Sequence, residues 1–105
     1  MTQPETLLVG RIRDAIRDRW PGVYVLKIHG GAAQSGGIPD LVGCVDGRFF
    51  AIEVKAPRRG ESNTKARERV TVRQAIHLER VLDAGGISGV AVTVDEAIAI
   101  IEEGK

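Results

Sequence analysis

Residues 36–55 read GGIPDLVGCVDGRFFAIEVK, and their interpretation decides the fold. A glycine pair leads into an apolar run, Asp46-Gly47 marks a two-residue hairpin turn, and a second apolar run ends at Lys55. The expected strands are Asp40 to Val45 and Arg48 to Lys55. Pairing across the turn sets Val45 against Arg48, and each further pair keeps the same numerical sum. Asp40 then falls opposite Glu53, about 5 Å away on the same face. Side chains alternate along a strand, so Phe50, Ile52 and Val54 share one face. Phe49, Ala51, Glu53 and Lys55 share the other, with Glu53 and Lys55 roughly 7 Å apart. Two carboxylates and an ammonium thus converge where a hairpin ordinarily carries apolar side chains.

Thr2 to Arg19 reads as an amphipathic helix. Pro4 and Glu5 suit its first turn, and Leu8, Ile12, Ile16 and Trp20 form its apolar stripe. Pro21-Gly22 stops it. Val23 to His29 alternates as a strand, and the glycine-rich stretch from Gly30 to Gly37 reads as a loop. After Ala56-Pro57, residues 58 to 70 are polar and expected to be poorly ordered. Thr71 caps a helix from Val72 to about Ala84, with Val72, Ala75, Ile76, Leu78 or Glu79, and Leu82 as its buried side. Gly85-Gly86 ends it. Ile87 to Val94 reads as a strand, and Thr93 or Asp95 caps a last helix from Glu96 to Glu103. The expected order is αβββαβα. Three successive strands and a crossover to a fourth imply an α/β fold with a mixed central sheet flanked by helices.

With 105 residues, the chain suits one domain. Aromatic residues make up 4%, so the core must rest on Val, Ile, Leu and Ala. Net charge is +1, which announces no nucleic-acid partner by itself. The segment from Lys55 to Arg73, however, sets many Lys and Arg against two Glu. Such a segment contacts phosphates or forms a solvated loop. Cys44, the single cysteine, reads as a small core residue and permits no disulfide within the chain. No stretch approaches the ~20 apolar residues of a membrane helix. The opening MTQPETLLVGRIRD lacks a signal-peptide layout. No phosphate loop for a nucleotide cofactor is present.

Two carboxylates at this spacing repel unless a positive group lies between them. A divalent cation takes carboxylate and carbonyl oxygens and keeps several waters. A water polarised in that way beside Lys55 is a nucleophile for a phosphodiester. The plainer alternative is a salt bridge of Lys55 with Glu53 or Asp40 on an exposed sheet face.

The ordered set GGIPDLVG…FFAIEVKAP resembles the signature of the PD-(D/E)xK nuclease superfamily, most of all its VRR-NUC branch. The likeness extends across most of the chain, including Glu5 in the first helix, Gln74 in the helix after the signature, and ISGVAVTVDEAI. It implies a single domain over residues 1–105 with a restriction-endonuclease-like core. It further implies a nuclease in which Asp40, Glu53 and the Val54 carbonyl bind Mg²⁺ or Mn²⁺. Lys55 would be the catalytic lysine, Glu5 would complete the metal shell, and Gln74 would position water or phosphate. Stand-alone domains of this branch are similar to Holliday junction resolvases, which act as homodimers on branched DNA. The resemblance therefore implies a phage-encoded or bacterial protein acting in the cytoplasm. Lys27, Gln34, Ser35, Gly36, Arg58, Arg59, Lys65, Arg67 and Arg73 are its expected DNA contacts. Other readings are a flap or non-specific nuclease, a non-catalytic DNA-binding module retaining the fold, and a structural dimer with a surface ion cluster. His29 reads as a polar strand end or a phosphate contact, and His77, near Gln74 on the helix, as a weaker acid–base candidate.

Overall fold

The computed structural model describes residues 3–28 and 36–105. Helix α1 spans Pro4–Arg19, and strands β1, β2 and β3 span Tyr24–Lys27, Leu41–Val45 and Arg48–Val54. Helices α2, Asn63–Glu68, and α3, Val72–Asp83, follow. Strand β4, Ile87–Ala91, and helix α4, Val94–Gly104, complete the chain. The sheet order is β1-β2-β3-β4, antiparallel through the first three strands and parallel between β3 and β4. This is the expected mixed sheet with helices on it.

The hairpin register is the one expected from its turn. Val45 pairs with Arg48 and Leu41 with Ile52. Asp46 and Gly47 both have positive φ, 49° and 79°, the conformation a two-residue turn needs to match strand twist.

One sheet face, carrying Leu41, Val45, Phe50, Ile52 and Val54, packs with Ile12 and Ile16 of α1 and Ala97 and Ile101 of α4. Here the sequence stripe and the observed core agree. The opposite face receives α3. Ser88, which pairs with Ala51, donates its hydroxyl to the Leu78 carbonyl of that helix at 2.6 Å.

Four local expectations are corrected. Residues 58 to 70 contain an ordered helix, α2, capped by Ser62, whose hydroxyl accepts from the Lys65 N–H. The order is therefore αβββααβα. Composition hid this helix because it is six residues long and buries only Ala66. Cys44 is exposed rather than buried, because it lies on the face that α3 reaches only over β3 and β4. For the same reason α3 buries Leu78 alone, while Val72, Ala75, Ile76 and Leu82 stay exposed. Helix α4 starts two residues earlier than expected, with Thr93 as its cap. His29 lies outside the described residues.

Gly43 tests how tightly the β1–β2 ladder is set. A Cβ there would stand 2.1 Å from the Tyr24 carbonyl oxygen and 2.6 Å from the Phe50 ring. Neither atom is the free end of a flexible chain. Gly43→Ala is expected to destabilise the fold by about 1–3 kcal/mol through overpacking, read as a lower urea midpoint at unchanged slope.

Candidate active site

The signature residues meet at the adjoining ends of β2 and β3. Asp40 stands one residue before β2, where its carbonyl accepts the Ile28 N–H at 2.8 Å. Its carboxylate Oδ2 accepts the Val54 N–H, also at 2.8 Å. The paired register, carried one step past Leu41 and Ile52, places it against Glu53. Lys55 follows β3, and its N–H donates to the Ala91 carbonyl of β4 at 3.0 Å.

Glu53 is 2% exposed and Lys55 8% exposed. Their contact, 3.5 Å from Nζ to Oε2, is therefore buried. An exposed surface pair, the plainer alternative, is not what the fold builds. The Oε1 atom of Glu53 accepts no hydrogen bond among the described residues. Burial, followed by the neighbouring Asp40 carboxylate, pushes the Glu53 carboxyl up to about 8, against the pull of Lys55. A carboxyl in this state is neutral at pH 7 unless further positive charge arrives.

Those features fit a divalent cation. Two carboxylates stand together here, and among the described residues a buried carboxylate oxygen has no partner. A small hard ion accepts few protein oxygens and keeps waters. Among the described residues no three His, Cys, Asp or Glu side chains gather into a metal cage. Glu5 is therefore not drawn into a three-carboxylate set with Asp40 and Glu53. It sits beside the end of β3, with Oε1 accepting the Ala56 N–H at 3.3 Å.

Gln74 forms a reciprocal cap with Thr71. Its Oε1 accepts the Thr71 N–H at 2.9 Å, and its N–H donates to the Thr71 hydroxyl at 3.1 Å. Of the expected DNA contacts, Arg58, Arg59, Lys65 and Arg73 are exposed, and Lys27 is half-buried at the end of β1. Arg67 is ion-paired with Glu96. Gly36 and Gly37 lie on Arg73. Gly37 has φ 93°, and a Cβ there would come within 2.7 Å of the Arg73 backbone. Gly36 thus joins Arg73, Ile76 and His77 around one shallow cavity. Gln34 and Ser35 lie outside the described residues.

Sequence reasoning missed Arg69 and Glu61, which bond to each other and to the chain just past Lys55. No spacing rule points to them, since Arg69 reaches back thirteen residues to Ala56.

This arrangement matches known proteins at the level of the fold. A solved structure described as "VRR_NUC domain" superposes with a TM-score of 0.58 at 22% sequence identity. The match covers 96% of this chain and 97% of that one. The chain therefore has the fold of the VRR_NUC domain, the family its signature resembles. No family model matches the chain, and no curated protein does.

The state of Glu53 gives a pH test. Its ordinary value is 4.5 and its folded value about 8. Below 4.5 both folded and unfolded chains hold the proton. Between the two values the unfolded chain has released it and the folded chain has not, so stability falls as pH rises through that window. Asp40 and Lys55 are the charged groups facing it. In chelator, Glu53→Gln is expected to gain stability relative to the native chain as pH rises from 4.5 to 8, by urea unfolding. A constant difference across that range would contradict a raised Glu53.

Proposed function

We propose that the chain is a single VRR-NUC-type domain over residues 1–105 and a metal-dependent DNA endonuclease. The observation that carries this reading is the Asp40–Glu53–Lys55 group on a VRR_NUC fold, with Glu53 and Lys55 buried and one Glu53 oxygen unpartnered among the described residues. Asp40, Glu53 and the Val54 carbonyl would hold Mg²⁺ or Mn²⁺. When bound, such an ion polarises the phosphodiester and lowers the pKa of an attacking water.

The chain's own residues do the rest. Asp40 and Glu53 would supply the negative charge that holds the cation, with Glu53 releasing its proton to solvent. Lys55 stands beside Glu53 in a buried contact, where its ammonium would orient the attacking water and offset charge on the phosphate. Gln74 caps α3 with its carbonyl oxygen and has an amide group to position water or phosphate. Glu5 fixes the main chain at Ala56 and stands next to the site as a carboxylate able to act through water. Arg58, Arg59, Lys65, Arg67, Arg73, Lys27 and the loop of Gln34, Ser35 and Gly36 would contact phosphates. Those contacts give affinity without base readout.

The substrate we favour is branched DNA such as a Holliday junction, cut by a homodimer in the cytoplasm of a bacterium, as a bacterial or phage product. Two-fold symmetric sites suit a two-fold symmetric junction. The surface supports a second copy. Tyr24 and Leu26 on the edge strand β1, Phe49 on β3, and Val72, Ile76 and Leu82 on α3 are exposed large apolar residues, and apolar exposure of this kind suits an interaction surface. The complete acidic and basic set favours catalysis over a decayed binding module.

With Mn²⁺ and labelled junction, flap, nicked and linear duplexes, the native chain should cut the junction in paired symmetrical nicks. Asp40→Ala and Glu53→Ala should lose Mn²⁺ binding by calorimetry. Lys55→Ala should bind Mn²⁺ yet cleave about 100-fold more slowly. No cleavage of any DNA, or equal cleavage by Lys55→Ala, would end the catalytic reading, and a preferred flap would replace the junction. For the dimer, light scattering should give about twice the 11.3 kDa chain mass, and Ile76→Asp with Phe49→Asp should return it to one. A native mass of one chain would remove the dimer.

A further inference from the structure

Past Lys55 the sheet no longer holds the chain. The last ladder bond is Lys55 N–H to the Ala91 carbonyl. Pro57 has no N–H to offer. Both backbone groups of Ala56 are instead taken by side chains from elsewhere. Its N–H donates to Glu5 Oε1 of α1 at 3.3 Å, and its carbonyl accepts Arg69 Nη2 at 2.5 Å. The same guanidinium donates through Nε to Glu61 Oε2 at 3.0 Å and stands 4.0 Å from Glu5. Glu61 is fixed in turn, since it accepts the Arg58 N–H at 2.9 Å and returns its own N–H to the Arg58 carbonyl at 2.8 Å.

We propose that Arg69 is a positioning residue of the active site. Together with Glu61 and Glu5 it clamps the peptide units on either side of Ala56, so that the main chain carrying Lys55 stays where the ammonium meets Glu53. This rests on the nuclease reading above. A guanidinium has five N–H donors in a rigid fork, which suits one group bridging a carboxylate and a carbonyl. Arg69 lies in a basic segment, but its Nε and Nη2 donate within the chain, to Glu61 and to the Ala56 carbonyl. The clamp acts on geometry, and displacing a reacting group by about 1 Å costs on the order of 100-fold in rate.

The test is single-turnover cleavage with Mn²⁺ by Arg69→Ala, Arg69→Lys and Glu61→Ala, at a temperature where each is folded by circular dichroism. Arg69→Lys keeps the charge but not the fork, and it carries the test if the alanine variant does not fold. All three should lose 10- to 100-fold in the maximal rate, with DNA half-saturation changed less than threefold. The Glu61→Ala, Arg69→Ala pair should lose no more than either alone, as coupled residues do. Independently of catalysis, the Ala56 amide should exchange with solvent faster in the Arg69 variants by nuclear magnetic resonance, while Mn²⁺ affinity holds. A loss entirely in half-saturation would make Arg69 a DNA contact and overturn the clamp. An unchanged maximal rate or unchanged Ala56 exchange would overturn it as well. If the native chain cuts no DNA, the nuclease reading fails, and Ala56 exchange still decides whether the clamp exists.

Discussion

A carboxylate is expensive to bury, and this fold buries one beside a second carboxylate. Glu53 is almost completely removed from solvent, with Asp40 across the hairpin and Lys55 two residues along. Desolvation and the like charge both work against its ionised form, and the single ammonium offsets them only in part. A hydrophobic residue at that position would stabilise the sheet without such a conflict. The fold therefore carries an electrostatic cost at that position.

The arrangement divides labour between the two sheet faces. One is an aliphatic core, in which α1 and α4 cover Phe50, Ile52 and Val54. It holds β3 rigidly along its length. The other face carries Ala51, Glu53 and Lys55 beneath a helix that covers only part of the sheet. Because alternate residues of one strand serve both faces, the core that fixes Val54 also fixes the site. Where β3 leaves the sheet, Glu5 and the Arg69–Glu61 pair take over. The polar strap after Pro57 is thus part of the scaffold as well as a source of basic side chains.

The likeness to the VRR_NUC domain runs nearly the full length of both chains at low identity. Low identity with shared topology is the pattern expected when a fold is specified by apolar spacing and a few fixed polar groups, which many sequences satisfy.

The hairpin was legible in the sequence because local rules set it. Asp46-Gly47 fixed the turn, the turn fixed the register, and the period of two put Asp40, Glu53 and Lys55 on one face. The caps at Thr71 and Thr93 and the stripe of α1 were readable for the same reason, since each depends on neighbours within a few residues. Burial was not legible. Only the packing of the elements decided that Cys44, Ile76 and Leu82 would stay exposed, while Glu53 and Lys55 would be enclosed. Helix α2 and the reach of Arg69 to Ala56 also depend on long-range packing, which no periodicity encodes. The sequence by itself determined which charged groups meet. The tertiary structure decided that Glu53 and Lys55 lie away from water, and that burial is what raises Glu53.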